Sequence, residues 1–141
     1  MPPFQPRMYD PDYQHTFGAA MARLALCEAA LADCGRQHME LCRLAAEQGR
    51  EFSYADDMRI GCIAREVYIQ AWETMERDIW RPAGSSSAKA GQRMERMFRD
   101  LAMSAGHRNT VLRHWAFREL ACEQLGIPRD PATGNRQLPR S

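Results

Sequence analysis

The first half of the sequence carries a helical pattern that runs without interruption from about Tyr13 to Gln48 and ends at Gly49. Its small and apolar residues recur at spacings of four and three, which is the period of one α-helix face. The residues on this face are Ala20, Leu24, Cys27, Leu31, Cys34, His38, Leu41 and Ala45. Because small side chains crowd this face, another helix can approach it closely. The pattern therefore predicts one long helix packed against a neighbour.

A second helix is predicted from Ser53 to near Trp80. Ser53 is a suitable N-cap, and Asp56 and Asp57 in the first turn favour the positive end of the helix dipole. One apolar face holds Met58, Cys62, Ile69, Trp72 and Ile79, and another holds Ile60, Ile63 and Val67. Apolar residues on two faces predict a helix that is covered on both sides. Pro82 disfavours helical geometry just before it, so the helix is expected to stop there.

The loop RPAGSSSAKAGQ leads into a third predicted helix, which continues to about Leu125 and stops at Gly126. Its apolar side is supplied by Met94, Met97, Leu101, Val111, Leu112 and Trp115. Connections of this length between helices give antiparallel neighbours. The predicted fold class is therefore all-α, an up-down antiparallel bundle of three long helices. Because its helices have more apolar surface than three can cover, we expect oligomerisation or docking to another domain to complete it.

Proline marks both ends of the chain and sets the predicted domain boundaries. Residues 1–12 hold Pro2, Pro3, Pro6 and Pro11 and are expected to form an extended N-terminal segment. Residues 13–126 are expected to form the helical domain. Residues 127–141 are expected to form a flexible polar tail.

Composition excludes several classes of function. The formal net charge is +1, from 19 basic and 18 acidic residues, so no broad attraction to nucleic acid or anionic membrane is expected. No stretch approaches the ~18 apolar residues that span a bilayer. The five cysteines form no CxxC pair, and the N-terminus shows no signal-peptide pattern. Reduced thiols in the cytoplasm are the simplest interpretation.

One face of the third predicted helix is mostly polar. Its members are Arg96, Asp100, Met103, His107, Thr110 and His114, with Arg99 one step round the helix. A histidine can donate a hydrogen bond to a bound group or exchange a proton with it. Gly106 inside this helix costs roughly 1 kcal/mol relative to alanine, so it is expected to have a packing or ligand reason. Its missing side chain would let a flat ligand approach His107.

The start of the same helix has the residues of an anion site. Gly84, Ser85, Ser86 and Ser87 lie where the loop turns into the helix, and free backbone N–H groups there can bind a phosphate. Arginines one turn apart can fix an anion or a partner carboxylate. The alternative is a solvated helix with an Arg96–Asp100 pair and a serine cap.

The stretch AGSSSAKAGQRMERMFRDLAMSAGH resembles the C-terminal helical domain of the acyl-CoA dehydrogenase superfamily. Within this superfamily, the stretch is most similar to the reduced-flavin-dependent monooxygenases, the branch that includes the oxygenase component of p-hydroxyphenylacetate hydroxylase. The matching residues are the turn Ala83-Gly84-Ser85, then Arg96, the pair Arg99-Asp100 and His107. The likeness covers about Tyr13 to Gly126. The catalytic glutamate and the glycine-threonine turn of the dehydrogenase branch are not visible in this sequence.

The resemblance implies a domain or subunit of an oxidoreductase that contributes to a flavin site and to an oligomer core. His107 would lie beside the ring of the reduced flavin as a catalytic residue, and a reductase would supply that flavin, either FMN or FAD. The residues implied near the flavin chain, its phosphate or a neighbouring subunit are Gly84, Ser85, Ser86, Arg96, Arg99 and Asp100. The implied partners are further copies in a tetramer-like assembly, or a chain carrying the N-terminal helical and β-barrel domains.

Three other functions compete with this one. The first is a non-catalytic helical oligomerisation or interaction module without chemistry of its own. The second is a metal site built from Cys27, Cys34, His38 and Cys42, whose spacings of seven, four and four also suit a packing seam. The third is nucleic-acid binding through Arg108, Arg113, Trp115, Phe117 and Arg118, a short stripe interrupted by acidic residues.

Overall fold

The structure is a computed structural model that describes residues 6–107 and 111–136. The long regular elements in these ranges are α1 (Pro11–Gln48), α2 (Tyr54–Thr74), α3 (Arg93–Ala105) and α4 (Arg113–Gln124). A single antiparallel bridge joins Arg129 to Arg136, and no β-strand is present in the part described. The all-α prediction is confirmed at this level.

α1 forms because its ends are well capped and its interior contains no proline. The side chain of Asp10 accepts a hydrogen bond from the backbone N–H of Asp12, and Pro11 occupies the first turn. Gly49 ends the helix with φ of 65°, a left-handed conformation that glycine adopts readily. The helix begins two residues before the predicted Tyr13. A 3₁₀ turn, Arg7–Tyr9, precedes it in place of a fully extended segment, and residues 1–5 lie outside the described ranges.

α2 is capped as the sequence predicts, since the Ser53 hydroxyl accepts a 3.0 Å hydrogen bond from the backbone N–H of Asp56. Its C-terminal end differs from the prediction. α2 continues into a π-helix, Met75–Trp80, and then into one more helical turn, Arg81–Ala83. Pro82 is tolerated because it lies in the first turn of that last segment.

The prediction of a single third helix is wrong. α3 ends at Ala105, and α4 begins at Arg113. The Gly106 N–H still bonds to the Ala102 carbonyl, but the next N–H, that of His107, bonds to the Ser104 carbonyl at 3.0 Å. This shorter step tightens the last turn and ends the helix, so Gly106 is a C-cap and not an interior residue.

α2 is the central helix and contacts the other three. α1 and α2 form an antiparallel hairpin, as two cross-contacts show. Towards the middle of α1, the Cys34 thiol lies 3.9 Å from the Ile60 carbonyl oxygen. At the far end, the Arg23 guanidinium lies 2.6 Å from the carboxylate of Asp78.

α3 and α4 pack on different halves of α2. The Phe98 ring of α3 stacks on Trp80 with 3.9 Å between ring centroids, and it meets Trp72 at 5.3 Å. On the other half, the Tyr54 hydroxyl hydrogen-bonds to Glu119 of α4. The buried apolar residues are mostly small: Ala20, Cys34, Met58, Cys62, Ile69, Ala116 and Cys122. Such a thin core leaves many larger apolar side chains at the surface.

Residues 127–136, the first part of the predicted polar tail, fold back onto α4, and we call them the C-terminal clasp. Its backbone turns back at Asp130, whose carbonyl oxygen accepts a 2.7 Å hydrogen bond from the Gly134 N–H. The Arg136 side chain is only 4% exposed and pairs with Glu119 and Glu123 of α4. The clasp therefore belongs to the helical domain, and residues 137–141 lie outside the described ranges.

Candidate functional site

The serine turn lies against α3. Gly84 has φ of 82°, which lets the chain reverse after the last helical turn of α2. Ser85 and Ser86 follow in an exposed 3₁₀ turn, Ser85–Ala88, which contacts α3. The Ser87 hydroxyl donates a 2.6 Å hydrogen bond to the Gly84 carbonyl, so this turn is held by its own side chain.

Two of the predicted anion-binding arginines line an open cavity of about 500 Å³ at the start of α3, together with Arg93. Both are also paired along their own helix. Arg99 lies 3.1 Å from Glu95, and Arg96 lies 3.8 Å from Asp100. These pairs are exposed, so solvent screens them and they fix the guanidinium groups only weakly. This is the solvated helix with an Arg96–Asp100 pair that the sequence analysis gave as the alternative to an anion site.

His107 does not continue the polar face of α3, because the helix ends two residues before it. The helical rise alone separates Arg96 from the last residue, Ala105, by ~14 Å. His107 is not one of the residues that line the arginine-lined cavity. Two further members of the predicted face are also separated: Thr110 lies outside the described residues, and His114 belongs to α4.

His114 instead lines a cleft of about 510 Å³ where α3 and α4 approach α2. The cleft has an apolar side formed by Ile69, Trp72, Ala105 and Val111, and a polar side formed by Glu73, Glu76, Arg113 and His114. Glu76 is already engaged, since it accepts hydrogen bonds from Arg81 at 2.6 and 3.0 Å. The cleft is wide open to solvent.

The cysteines and the histidine that the sequence offers as metal ligands do not share one environment. Cys34 is buried with its thiol near the Ile60 carbonyl, whereas Cys42 is exposed and lies 3.6 Å from the His38 imidazole. The His38 ring packs against Phe52. Within the described residues, no group of three potential ligands could hold a metal ion, and all five cysteines are free thiols.

A charged contact between α1 and the π-helix was not visible in the sequence. The Asp78 carboxylate is 10% exposed and accepts hydrogen bonds from Arg77 at 2.8 and 3.0 Å and from Arg23 at 2.6 Å. These guanidinium groups, Arg77 first, hold the pKa of Asp78 below its usual value. Because Arg23 and Asp78 are 55 residues apart, no local pattern could have identified the pair.

A second unpredicted cluster joins the C-terminal clasp to α2 and α4. The Arg129 guanidinium lies over the Tyr54 ring, 3.9 Å from its centroid. The buried Glu119 carboxylate accepts 3.0 Å hydrogen bonds from the Tyr54 hydroxyl and from Arg136. Burial, with the neighbouring Glu119 carboxylate as the next cause, raises the pKa of Tyr54. In the sequence, the turn residues PATG between Arg129 and Arg136 were a local sign that the chain could fold back at this point.

One flank of α1, beside the face that packs on α2, carries large apolar side chains. Phe17, Met21 and Leu31 are 43%, 50% and 53% exposed, and Leu24 lies between them on the same side of the helix. We call these four residues the outer stripe of α1. Gly35 follows one turn after Leu31, and a side-chain carbon added there would meet nothing within 4 Å in the described structure.

Comparisons of this chain with protein-family models, with curated proteins and with solved structures found no match. Among the helices described, none combines the length and the apolar character needed to cross a membrane.

Proposed function

We propose that this chain is a helical assembly module, and that it works by pairing its α1 helix with α1 of a second copy through the outer stripe. One observation carries the proposal: three large side chains of the outer stripe, Phe17, Met21 and Leu31, remain about half exposed on a well-capped helix of 38 residues. An exposed apolar surface of this kind, in which Glu28 stands between Leu24 and Leu31, marks an interaction site.

The glycine on the same side of α1 supports a helical partner. A glycine within a helix costs roughly 1 kcal/mol relative to alanine. Gly35 recovers nothing within its own chain, since the described structure leaves the space beside it open. A side chain from a second helix that packs over Gly35 would account for this glycine, because its missing side chain lets two helices approach closely.

The spacing of the outer stripe supports a second copy of the chain as that partner. Phe17 and Met21 are one turn apart, and so are Leu31 and Gly35. When two α1 helices run antiparallel, Phe17 of each copy can lie over Gly35 of the other, while Met21 faces Leu31. A surface that matches itself in this way is what a twofold dimer requires. The heptad spacing from Phe17 through Leu24 to Leu31 suits packing along the helix.

Sedimentation velocity of the purified full chain, at several concentrations, tests this proposal. Met21→Glu places a charge opposite Leu31 of the second copy and should lower the assembly mass at every concentration. Glu28→Leu should have the opposite effect, because Glu28 lies between Leu24 and Leu31 and its removal makes the stripe wholly apolar. A tighter assembly is then expected.

Met103→Glu is the matched control, because Met103 is a methionine of α3 that is 73% exposed and lies outside the stripe. It should leave the assembly mass unchanged. An assembly mass that is unaffected by Met21→Glu, with circular dichroism showing an intact fold, would refute pairing through the outer stripe.

A second candidate function is a subunit that contributes to the flavin site of a monooxygenase, together with a chain that supplies the missing domains. The arginine-lined cavity at the start of α3 supports the phosphate end of that site, because Arg93, Arg96 and Arg99 line it. The ring end is supported less well, since His107 lies beyond the end of α3. A flavin bound there would supply the redox chemistry.

Fluorescence titration of the chain with FMN and with FAD tests the second candidate. Arg93→Ala and Arg96→Ala should weaken binding, whereas Arg118→Ala on α4 should not. With a partner chain present, His107→Ala should lower the coupling of oxygen consumption to product. Titrations in which the arginine variants match the unaltered chain would dismiss flavin binding at this cavity.

A further inference from the structure

A second apolar surface lies on the opposite flank of α1, in a groove between α1 and α2. The groove has a volume of about 310 Å³ and is lined by Leu26, Cys27, Ala30, Ile63 and Val67. Its two polar lining residues pair with one another, since the Gln70 side-chain amide donates a 2.9 Å hydrogen bond to the Glu66 carboxylate. The accessible lining of the groove is almost entirely apolar.

A protruding leucine stands at the edge of this groove. Leu26 is 71% exposed, the most exposed of the large apolar side chains of α1. An exposed leucine and an open apolar groove thus lie side by side on one surface. A twofold axis between two copies brings the Leu26 of each into the groove of the other, whereas an unrelated partner would have to supply such a side chain itself.

The groove and the outer stripe are separate surfaces. At 100° per residue, Met21 and Leu26 point in directions about 140° apart around α1. One neighbour therefore cannot cover both, and each surface needs its own copy of the chain.

We infer that the α1–α2 groove is a second self-contact, in which Leu26 of one copy inserts between Ala30 and Val67 of another. Together with the proposed outer-stripe pairing, on which the size of the full assembly depends, this contact yields particles of more than two chains. Two different twofold contacts that close on themselves give an assembly of four.

Three variants separate the two contacts by sedimentation velocity. Leu26→Glu should disrupt only the groove contact and leave two chains joined through the outer stripe. Met21→Glu should leave two chains joined through the groove. The double variant should sediment as a single chain. Because both side chains are at least half exposed, neither substitution should disturb the fold of one chain.

A size substitution gives a control that does not depend on charge. Ala30→Leu fills the groove and should have the effect of Leu26→Glu, whereas Ala29→Leu, on an exposed part of the same helix, should not. Cys27 provides a second measurement because its thiol lines the groove. Its alkylation should be about tenfold or more slower in the unaltered assembly than in Leu26→Glu.

The outcomes distinguish the two proposals. If Leu26→Glu and Ala30→Leu leave both the mass and the alkylation rate of Cys27 unchanged, the groove contact is wrong, whatever the outer stripe does. If only Met21→Glu is without effect, the groove contact stands and the outer-stripe proposal fails. A chain that sediments alone at all concentrations would overturn both.

Discussion

The guanidinium of Arg23 in α1 donates a 2.6 Å hydrogen bond to the carboxylate of Asp78 in the π-helix that follows α2. It ties the two long helices together at the end opposite their connecting loop. Because Asp78 is 10% exposed, water screens this pair less than the other ion pairs of α1. The remaining α1 pairs, such as Arg36 with Asp33, are local and exposed.

Asp78→Ala should lower the free energy of unfolding by roughly 1–3 kcal/mol, because it leaves Arg23 and Arg77 without their shared, mostly buried acceptor. Urea denaturation followed by circular dichroism measures the change. Asp33→Ala removes an exposed aspartate from a local pair and should leave the unfolding midpoint nearly unchanged. Equal midpoints for the two variants would show that the Asp78 contact adds no stability.

The same contact should make stability depend on pH in the acid range. The pKa of Asp78 in the folded chain lies below the usual 3.8, so its ionised form is favoured by folding. This stability is present above pH 3.8, and it is lost as pH falls through the lower folded-state pKa. Urea midpoints measured between pH 5 and pH 2 should fall more for the unaltered chain than for Asp78→Asn, which has no such group to titrate.

Removing Arg136 should release the C-terminal clasp. Arg136→Ala leaves the buried Glu119 carboxylate without its closest cation, so the unfolding midpoint should fall and amides of residues 127–136 should exchange hydrogen faster. Tyr54→Phe, which deletes one hydrogen bond to Glu119, should cost about 1 kcal/mol. Unchanged hydrogen exchange in Arg136→Ala would mean that this side chain does not hold the clasp.

Substitution by alanine should change the stability of the fold in opposite directions at two glycines. Gly106 has φ of −79°, and an added side-chain carbon would meet only ordinary contacts at 3.7 and 3.8 Å. Gly106→Ala should therefore be neutral or stabilise by up to ~1 kcal/mol through the unfolded state. Gly49→Ala should destabilise, because φ of 65° strains any side chain. Thermal unfolding compares them, and a large loss in Gly106→Ala would restore a packing or ligand role for that glycine.

The sequence was sufficient to predict α1, α2 and the loop between them. Their apolar residues repeat at helical spacing over many turns, and the signals at Ser53 and Gly49 coincide with real caps. It was insufficient at the end of α3. The helical pattern continues on both sides of Gly106, and a glycine can lie inside a helix or end one, so this residue alone did not fix the break that the backbone hydrogen bonds show.

The candidate site was predicted less well than the fold. The local part, Arg96 with Asp100 one turn later, follows from helix geometry and is found as an exposed pair. Placing His107 on the same face required a continuous helix, and that requirement failed. The clasp and the Arg23–Asp78 contact join residues far apart in the chain, so only the folded arrangement could identify them.

The π-helix between Met75 and Trp80 is the geometry that an α-helix takes when it accommodates one surplus amino acid without unravelling. Because its backbone bonds run from residue i to residue i+5, one turn holds an extra residue, and later side chains keep the direction they would have without it. Rewinding the same residues as a regular α-helix would instead swing the side chains that follow by about 100° around the axis. Trp80 would then turn away from its stack with Phe98. The winding of this segment, and not only its composition, thus sets the direction from which α3 docks.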